Sequence, residues 1–323
     1  MRMHLTLSLL SLSVSPVLLC QGLNFGGTQI GYIYDGSSRG LRPVVGMIGA
    51  AYMGDPLVAN LDRASVSPNG KFALTASPEE SKWVNTEDAS KTGALPAWKQ
   101  AAWCETSSQF LLLGADGTDL QLWKYEDNNW QSSSSLKDSL PAGTVQLLAC
   151  DAGRSEAWIG VSASADDGLY RLSFGGGAQK VLSVAQAAAL ALPNAKDPSW
   201  YASDKAERRI YRLQRQGDDW TWQILPDSGP DQSIPVALRL LDNGKLIACW
   251  QGANGENPIL RLYSGSEAAV DSEQSLDGAV SVVEPLSSSN LLRLNSPQEN
   301  GQPLLIFDSG LEKVFFVPAG GSR

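Results

Sequence analysis

Carboxylates are the residues of this chain best suited to acid–base chemistry. The only histidine, His4, lies in an apolar N-terminal segment, so histidine bases and His-based zinc sites are not expected. Glu105, Asp151, Asp242 and Glu284 each follow or end a short apolar run, at similar points of a repeated pattern. If those points converge, the carboxylates are suited to act as a glycosidase pair or to hold a cation. The alternative is ordinary turn chemistry, in which acidic residues are common.

Two other patterns have a catalytic or metal-binding formula. Gly36-Ser37-Ser38-Arg39-Gly40 fits the G-x-S-x-G motif of serine hydrolases, but that motif joins a strand to a helix and needs a histidine base. Here it joins two predicted strands, so we expect a hairpin turn. Asp116–Asp119 and Asp166–Gly168 resemble calcium loops without a full ligand set. The sequence therefore predicts no catalytic residues, no cofactor and no metal site.

Tryptophan is abundant, with ten residues in the chain. Trp103 and Trp250 are the aromatic binding candidates, beside Glu105, Asp151 and Asp242. Exposed rings on one rim would stack on sugars or anchor a partner protein. The alternative is that the rings fill the space between packed sheets.

The N-terminal segment Met1–Gly22 is typical of a secretory signal peptide, with Arg2 ahead of an apolar run. That run spans about 15 residues, fewer than the roughly 20 that cross a bilayer. We therefore predict a signal peptide at 1–22 and a secreted or periplasmic mature chain at 23–323. Lipid attachment at Cys20 is the alternative, although Leu19 precedes it where a small residue is usual.

The charge balance is acidic. Arg2 is the only charged residue of the signal, so the mature chain carries 24 basic and 34 acidic residues, which gives a net charge of −10. Such a surface repels phosphate backbones. We expect no nucleic-acid partner, no transmembrane segment in the mature chain, and a monomer.

The mature chain contains three cysteines, an odd number that excludes a fully paired disulfide framework. Buried thiols are one interpretation. Because Cys104 and Cys150 stand 46 residues apart at similar places in consecutive repeats, a bridge between neighbouring repeats is the other.

The chain repeats a hairpin of two apolar runs around a polar turn. Six such turns are centred near residues 69, 107, 153, 196, 243 and 288, so their spacings are 38, 46, 43, 47 and 45. A period in the forties with four strands per repeat indicates a β-propeller. Outer strands follow each hairpin, as in Leu120–Tyr125 and Ile259–Tyr263.

An extra hairpin of the outer type, Gly31–Tyr34 returning through Leu41–Val45, begins the mature chain. It suggests that the two ends of the chain meet in a closed ring, which removes exposed sheet edges. Six inner hairpins favour six blades, whereas the extra hairpin and the chain length favour seven. We predict an all-β, single closed propeller of about seven four-stranded antiparallel blades, one of them incomplete or shared between the ends.

One repeat contains the sequence Ser67-Pro68-Asn69-Gly70-Lys71-Phe72, close to the S-P-[DN]-G-[KR]-[YF] pattern of some propeller repeats. In this respect the chain resembles secreted bacterial propellers of the WD40/YVTN-like type. The resemblance implies a fold and no activity. It favours a non-catalytic scaffold that binds a protein or glycan; the alternatives are a carboxylate-based enzyme acting on glycans and a lipid-anchored surface protein.

Two segments fit the repeat poorly. Ser77-Pro78-Glu79-Glu80 has the residues that open a capped helix, so we expect an insertion at 77–97 that begins as a helix. Val184–Leu192 is rich in alanine, a strong helix former. Its place in the repeat nevertheless predicts a strand.

Overall fold

The computed structural model describes residues 28–137, 140–163, 166–226, 233–252, 257–264, 269–297 and 301–318. The predicted signal peptide at 1–22, with Cys20, lies outside these ranges. Within them the chain forms 27 β-strands in seven antiparallel sheets, and no α-helix occurs among these residues.

The strands follow one another in chain order within every sheet. The first sheet contains β1 (Gln29–Asp35), β2 (Gly40–Val45) and β3 (Tyr52–Met53). The second contains β4 (Arg63–Val66), β5 (Phe72–Ala76), β6 (Ser81–Asn85) and β7 (Thr92–Leu95), and the third β8 (Trp98–Trp103), β9 (Gln109–Gly114), β10 (Leu120–Glu126) and β11 (Asn129–Ser135). The fourth contains β12 (Thr144–Asp151), β13 (Glu156–Ser162), β14 (Gly168–Ser173) and β15 (Ala178–Leu182), and the fifth β16 (Ala187–Ala191), β17 (Trp200–Asp204), β18 (Arg209–Gln216) and β19 (Asp219–Ile224). The sixth contains β20 (Ile234–Leu240), β21 (Leu246–Gln251), β22 (Ile259–Tyr263) and β23 (Val270–Ser275), and the seventh β24 (Glu284–Pro285), β25 (Leu291–Arg293), β26 (Leu304–Asp308) and β27 (Lys313–Val317).

The seven sheets are the blades of a closed propeller. Each of seven apolar clusters joins residues of two consecutive blades, and one of them joins the first blade to the last through Ile33, Val44, Leu304 and Ile306. A sheet buries its apolar faces only against a neighbour, so a ring leaves no blade with an uncovered face. The predicted closed propeller is confirmed.

The first blade explains why both six and seven blades were indicated by the sequence. Strand β1 starts where Ser287 Oγ donates to the Ile30 carbonyl at 2.7 Å and ends where Gly36 N donates to the Pro297 carbonyl at 2.8 Å. Those contacts give β1 the direction of the second strand of the last blade. Among the described residues, the first blade therefore has three strands and no inner strand, whereas the other six blades have four.

A glycine permits this closure. Gly31, at φ +156°, lies against the last blade so closely that a Cβ there would be 2.8 Å from Leu286 Cβ. Any larger residue would push β1 away from the seventh blade.

The expected insertion at 77–97 is wrong, because these residues supply β6 and β7 of the second blade. The helix-opening motif is used locally: Ser77 Oγ accepts hydrogen bonds from the backbone N–H of Glu79 and Glu80, at 3.3 and 3.2 Å. The chain then continues as a strand in which the adjacent residues Trp83 and Val84 point to opposite faces and are both buried, as expected in a blade that is covered on both faces. The alanine-rich segment forms strand β16, as predicted.

Cys104 and Cys150 form a disulfide between the third and fourth blades, with their Cα atoms 4.7 Å apart. Of the two interpretations, the bridge is therefore the one that the structure adopts. Cys249 is a free thiol, and complete burial raises its pKa to about 12. A thiol that stays protonated is a packing residue.

Candidate functional site

The first strands of the six four-stranded blades line a central channel with a cavity of about 380 Å³. Apolar side chains, many of them small, form much of its wall; examples are Ala102, Ala149, Ala188 and Leu190. These strands point small residues inward because the ring narrows towards its axis. The channel is thus a concave space in which polar and charged groups are exposed beside apolar side chains.

One end of the channel is formed by the turns between the first and second strands of the blades, and we call it the turn-side mouth. These turns contact one another: Asn69 N donates to Ser107 Oγ at 3.1 Å, and Asn194 Nδ2 donates to the Leu241 carbonyl at 2.7 Å. Gly70 and Gly244 adopt φ values of +71° and +87° in them, as their predicted turns require. Loops held in this way place their side chains reproducibly.

The four carboxylates selected from the sequence all belong to this end. Glu105 lies in the turn after β8, Asp151 ends β12, Asp242 lies in the turn after β20, and Glu284 begins β24. They are close enough to interact electrostatically, since the charges of Asp151 and Asp242 both raise the pKa of Glu105. The structure brings these groups to one mouth.

Two of the four carboxylates form ion pairs with arginines of their own blades. Asp151 accepts from Arg154 through its backbone N–H at 3.2 Å and through Nη1 at 3.0 Å. Glu284 Oε2 accepts from Nε of Arg293 at 3.0 Å. These pairs fix the local turn or strand and leave less capacity for a ligand.

Glu105 and Asp242 are different, because both are exposed and no described residue donates a hydrogen bond to either carboxylate. Although Glu105 reaches solvent at the mouth, desolvation by the channel wall raises its pKa. Asp151 and Asp242 raise it further, while Arg239 and Arg154 oppose the rise. Glu105 is thus a carboxylate that is less stable in its charged form than one in water.

Arg239 is the residue that sequence reasoning missed. It lies on the inner strand β20 and lines the cavity, half-buried, and within the described residues it has no hydrogen bond and no ion pair within 4 Å. Burial lowers its pKa, against the opposing effects of Glu105, Glu284 and Asp242. The available signal was a single charge inside the apolar run Val236-Ala237-Leu238-Arg239-Leu240.

The two aromatic candidates separate. Trp103 is half-buried in the channel wall, where its ring packs on Phe110 and Trp130 with centroids 5.1 and 5.4 Å apart. Trp250 is fully buried in the core between the fifth and sixth blades, so it has no surface to offer a ligand.

The remaining motifs have structural explanations. Ser38 of the G-x-S-x-G pattern lies in the β1–β2 hairpin turn, as predicted, and its Oγ donates to Asp35 Oδ2 at 2.7 Å. In the described ranges, no group of three or more His, Cys, Asp or Glu side chains is placed to hold a metal ion. Nor does any helix there have the length and apolar character needed to cross a membrane.

Comparison with known proteins gives the fold. No protein-family model matches the chain, and no curated protein sequence matches it. The β-propeller domain of Cps50 (Swd1) from Myceliophteria thermophila is similar in structure, with a TM-score of 0.55 and 12% identity over 82% of this chain and 88% of that one. The fold is a seven-bladed β-propeller.

Two further solved structures are also similar to this chain. Hsv2 from Kluyveromyces lactis has a TM-score of 0.53 and 13% identity over 76% of this chain and 73% of its own. Apo AztD from Citrobacter koseri has a TM-score of 0.51 and 8% identity over 90% and 95%. At such identities the likeness concerns architecture, so the site must be argued from its own residues.

Proposed function

We propose that this protein is a non-catalytic binding scaffold that takes up a glycan at the turn-side mouth of its channel. The supporting observation is that Glu105 and Arg239 line one concavity, with Asp242 close enough to act electrostatically on both, and that none of the three has a hydrogen-bonding partner among the described residues. Charged groups held at the edge of a cavity without partners are available to a ligand.

The shape of the site favours a sugar over a flat protein surface. A cavity of about 380 Å³ falls within the range of small-molecule sites. Sugar hydroxyls are donors, and Glu105 and Asp242 offer acceptors at the mouth. Trp103 adds part of an aromatic ring to the wall, on which the apolar face of a sugar packs well.

A catalytic role is the rival hypothesis. A glycosidase needs two free carboxyl groups about 5 to 9.5 Å apart. Asp151 and Glu284 are engaged by Arg154 and Arg293, so only Glu105 and Asp242 remain for such a pair. We favour binding because no described residue donates a hydrogen bond that would orient either carboxylate for proton transfer.

A glycan array probed with the full-length chain, expressed with its own N-terminal segment, tests the proposal. We expect retention of a defined set of glycans and no new reducing ends after prolonged incubation. Glu105→Gln should weaken retention several-fold, whereas Glu126→Gln, an exposed change on β10, should not. Release of product that disappears in Glu105→Gln would establish the enzyme instead.

A protein partner is the second candidate, favoured by large apolar side chains exposed on the first and last blades. Met47, Tyr52 and Phe316 are 74%, 49% and 46% exposed. Exposed apolar side chains of this size are candidates for contact with a partner. A Tyr52→Ser and Phe316→Ser double variant that keeps its glycan binding but loses a captured protein would support this second role.

Export is part of the proposal and rests on the composition of Met1–Gly22. Mass spectrometry of the full-length chain after expression in a bacterium should find a mature protein that begins near residue 21 or 23. A diacylglycerol adduct on Cys20 would indicate the lipid-anchored alternative. Light scattering of the same sample should give the mass of a monomer.

A further inference from the structure

We propose that Arg239 anchors the carboxylate of an acidic sugar, a uronate, inside the channel mouth. This inference rests on the proposed function and names the class of glycan. Two observations support it: Arg239 differs from the other buried or partly buried arginines in its ion pairing, and the groups around the cavity complement a uronate.

The contrast concerns arginines that are buried or partly buried. Five of them form an ion pair with a carboxylate within 4 Å: Arg42, Arg171, Arg212, Arg261 and Arg293. Arg239 is the one in the described ranges that does not, although it has five N–H donors and lies in the channel. A desolvated guanidinium without an acceptor is unfavourable for folding, which suggests that its acceptor comes from outside the chain.

The chemistry of the acceptor follows from the geometry of arginine. A guanidinium presents a planar fork that matches the two oxygens of a carboxylate, or those of a phosphate. Glu105, Asp242 and Glu284 all act electrostatically on Arg239, so the mouth carries more negative than positive charge. A doubly charged phosphate would be repelled more strongly there than a singly charged carboxylate.

The remainder of the ligand must supply donors and a compact apolar surface. Glu105 and Asp242 accept hydrogen bonds, and Ala102, Ala149 and Leu190 line the wall. A uronate combines one carboxylate, several hydroxyl donors and C–H faces. It therefore complements Arg239, the two free carboxylates and the wall together.

Isothermal titration of the full-length protein with sodium D-glucuronate tests the assignment, with D-glucose as the neutral probe of the same shape. We expect glucuronate to bind at least tenfold more tightly than glucose. Arg239→Met should remove that preference, and Arg239→Lys should retain only part of it, because lysine keeps the charge without the fork. Arg208→Met is the matched control, since Arg208 lies exposed in the β17–β18 turn and forms no ion pair with any described residue.

Several results would overturn the assignment. They are equal binding of glucuronate and glucose, an unchanged preference in Arg239→Met, and tighter Arg239-dependent binding of phosphate or of L-serine. If the protein binds neutral glycans on the array and does so independently of Arg239, this inference is wrong but the proposed binding scaffold is still supported. An array without any retained glycan would sink both.

Discussion

Two places in the ring each bring an arginine near a carboxylate, with opposite results. In the β1–β2 hairpin, Asp35 is 1% exposed, and Arg42 Nη1 lies 3.1 Å from its Oδ2. Ser37 Oγ and Ser38 Oγ also donate to it, each at 2.7 Å. At the turn-side mouth, Arg239 and Glu105 influence each other without a contact within 4 Å.

The pKa values of the two carboxyl groups record the difference. Burial would raise the pKa of Asp35, but hydrogen bonds from Ser37, Ser38 and Arg42 outweigh it and lower the pKa. Desolvation raises the pKa of Glu105, and no hydrogen bond compensates. The hairpin thus uses its charges to stabilise the fold, whereas the mouth keeps Glu105 and Arg239 without a hydrogen bond among the described residues. This is the pattern expected where function is favoured over stability.

The largest effect should come from breaking the satisfied region. Asp35→Ala leaves Arg42 partly buried without its carboxylate, so we expect a loss of on the order of 3 kcal/mol in the free energy of unfolding. Urea titration at pH 7 measures it. Asp62→Ala removes the exposed partner of Arg39 and should cost less than about 1 kcal/mol. Equal losses in the two variants would contradict the distinction between buried and exposed pairs.

The second test exchanges the two arginines for an apolar residue of similar length. Arg42→Met should destabilise, because it strands Asp35 and leaves the carbonyls of Gly54 and Met53 without their donor. Arg239→Met should leave stability unchanged or increase it by about 1 kcal/mol, since it removes a desolvated charge that has no partner. Thermal unfolding of both variants supplies the comparison. A destabilised Arg239→Met would mean that the guanidinium supports the fold.

The fold was largely predictable because its signals are local and repeated. Each hairpin turn contains Asn, Asp, Gly or Ser, and apolar runs on both sides set the strands, as in Phe72–Ala76, which forms β5 as expected. The number of blades was less certain, because β1 has the sequence pattern of an outer strand. The first blade has no inner strand among the described residues, so a count of inner hairpins does not include it. The error at 77–97 has a local cause as well, since the same Ser-Pro-Glu-Glu hydrogen bonds serve a turn or a helix.

The candidate site was only partly predictable. Turn positions in a repeat show which carboxylates share one end of the ring, so Glu105, Asp151 and Asp242 were found. Turn positions do not show which carboxylates form ion pairs. Glu284, for example, is paired with Arg293 of the neighbouring strand, and no residue of the turn indicates this ion pair. Arg239 was overlooked because one charge in an apolar strand has no spacing that marks it. Its isolation becomes visible only when the six inner strands are placed around one axis.

The smallest expected effect concerns Glu105 and depends on pH. Its ordinary pKa is 4.5, and the folded state raises it, so the folded protein binds this proton more tightly than the unfolded chain does. The contribution of Glu105 to stability is therefore greatest below its pKa in the unfolded chain and is lost as pH rises through its pKa in the folded protein. Glu105→Gln removes that loss. The variant should match the parent near pH 3 and exceed it by a few tenths of a kcal/mol at pH 7, the small size reflecting solvent screening at an exposed group.

Asp35→Asn should change stability in the opposite direction over the same pH range. Because the folded state lowers the pKa of Asp35, its stabilisation is present above the unfolded pKa and is lost as pH falls through the folded one. The cost of Asp35→Asn should thus shrink on acidification, whereas the gain from Glu105→Gln grows as pH rises from 3 to 7. Urea midpoints of the parent and both variants across that range decide the matter. Curves of the same sign would show that the two carboxylates share one environment, and the distinction between the hairpin and the mouth would fail.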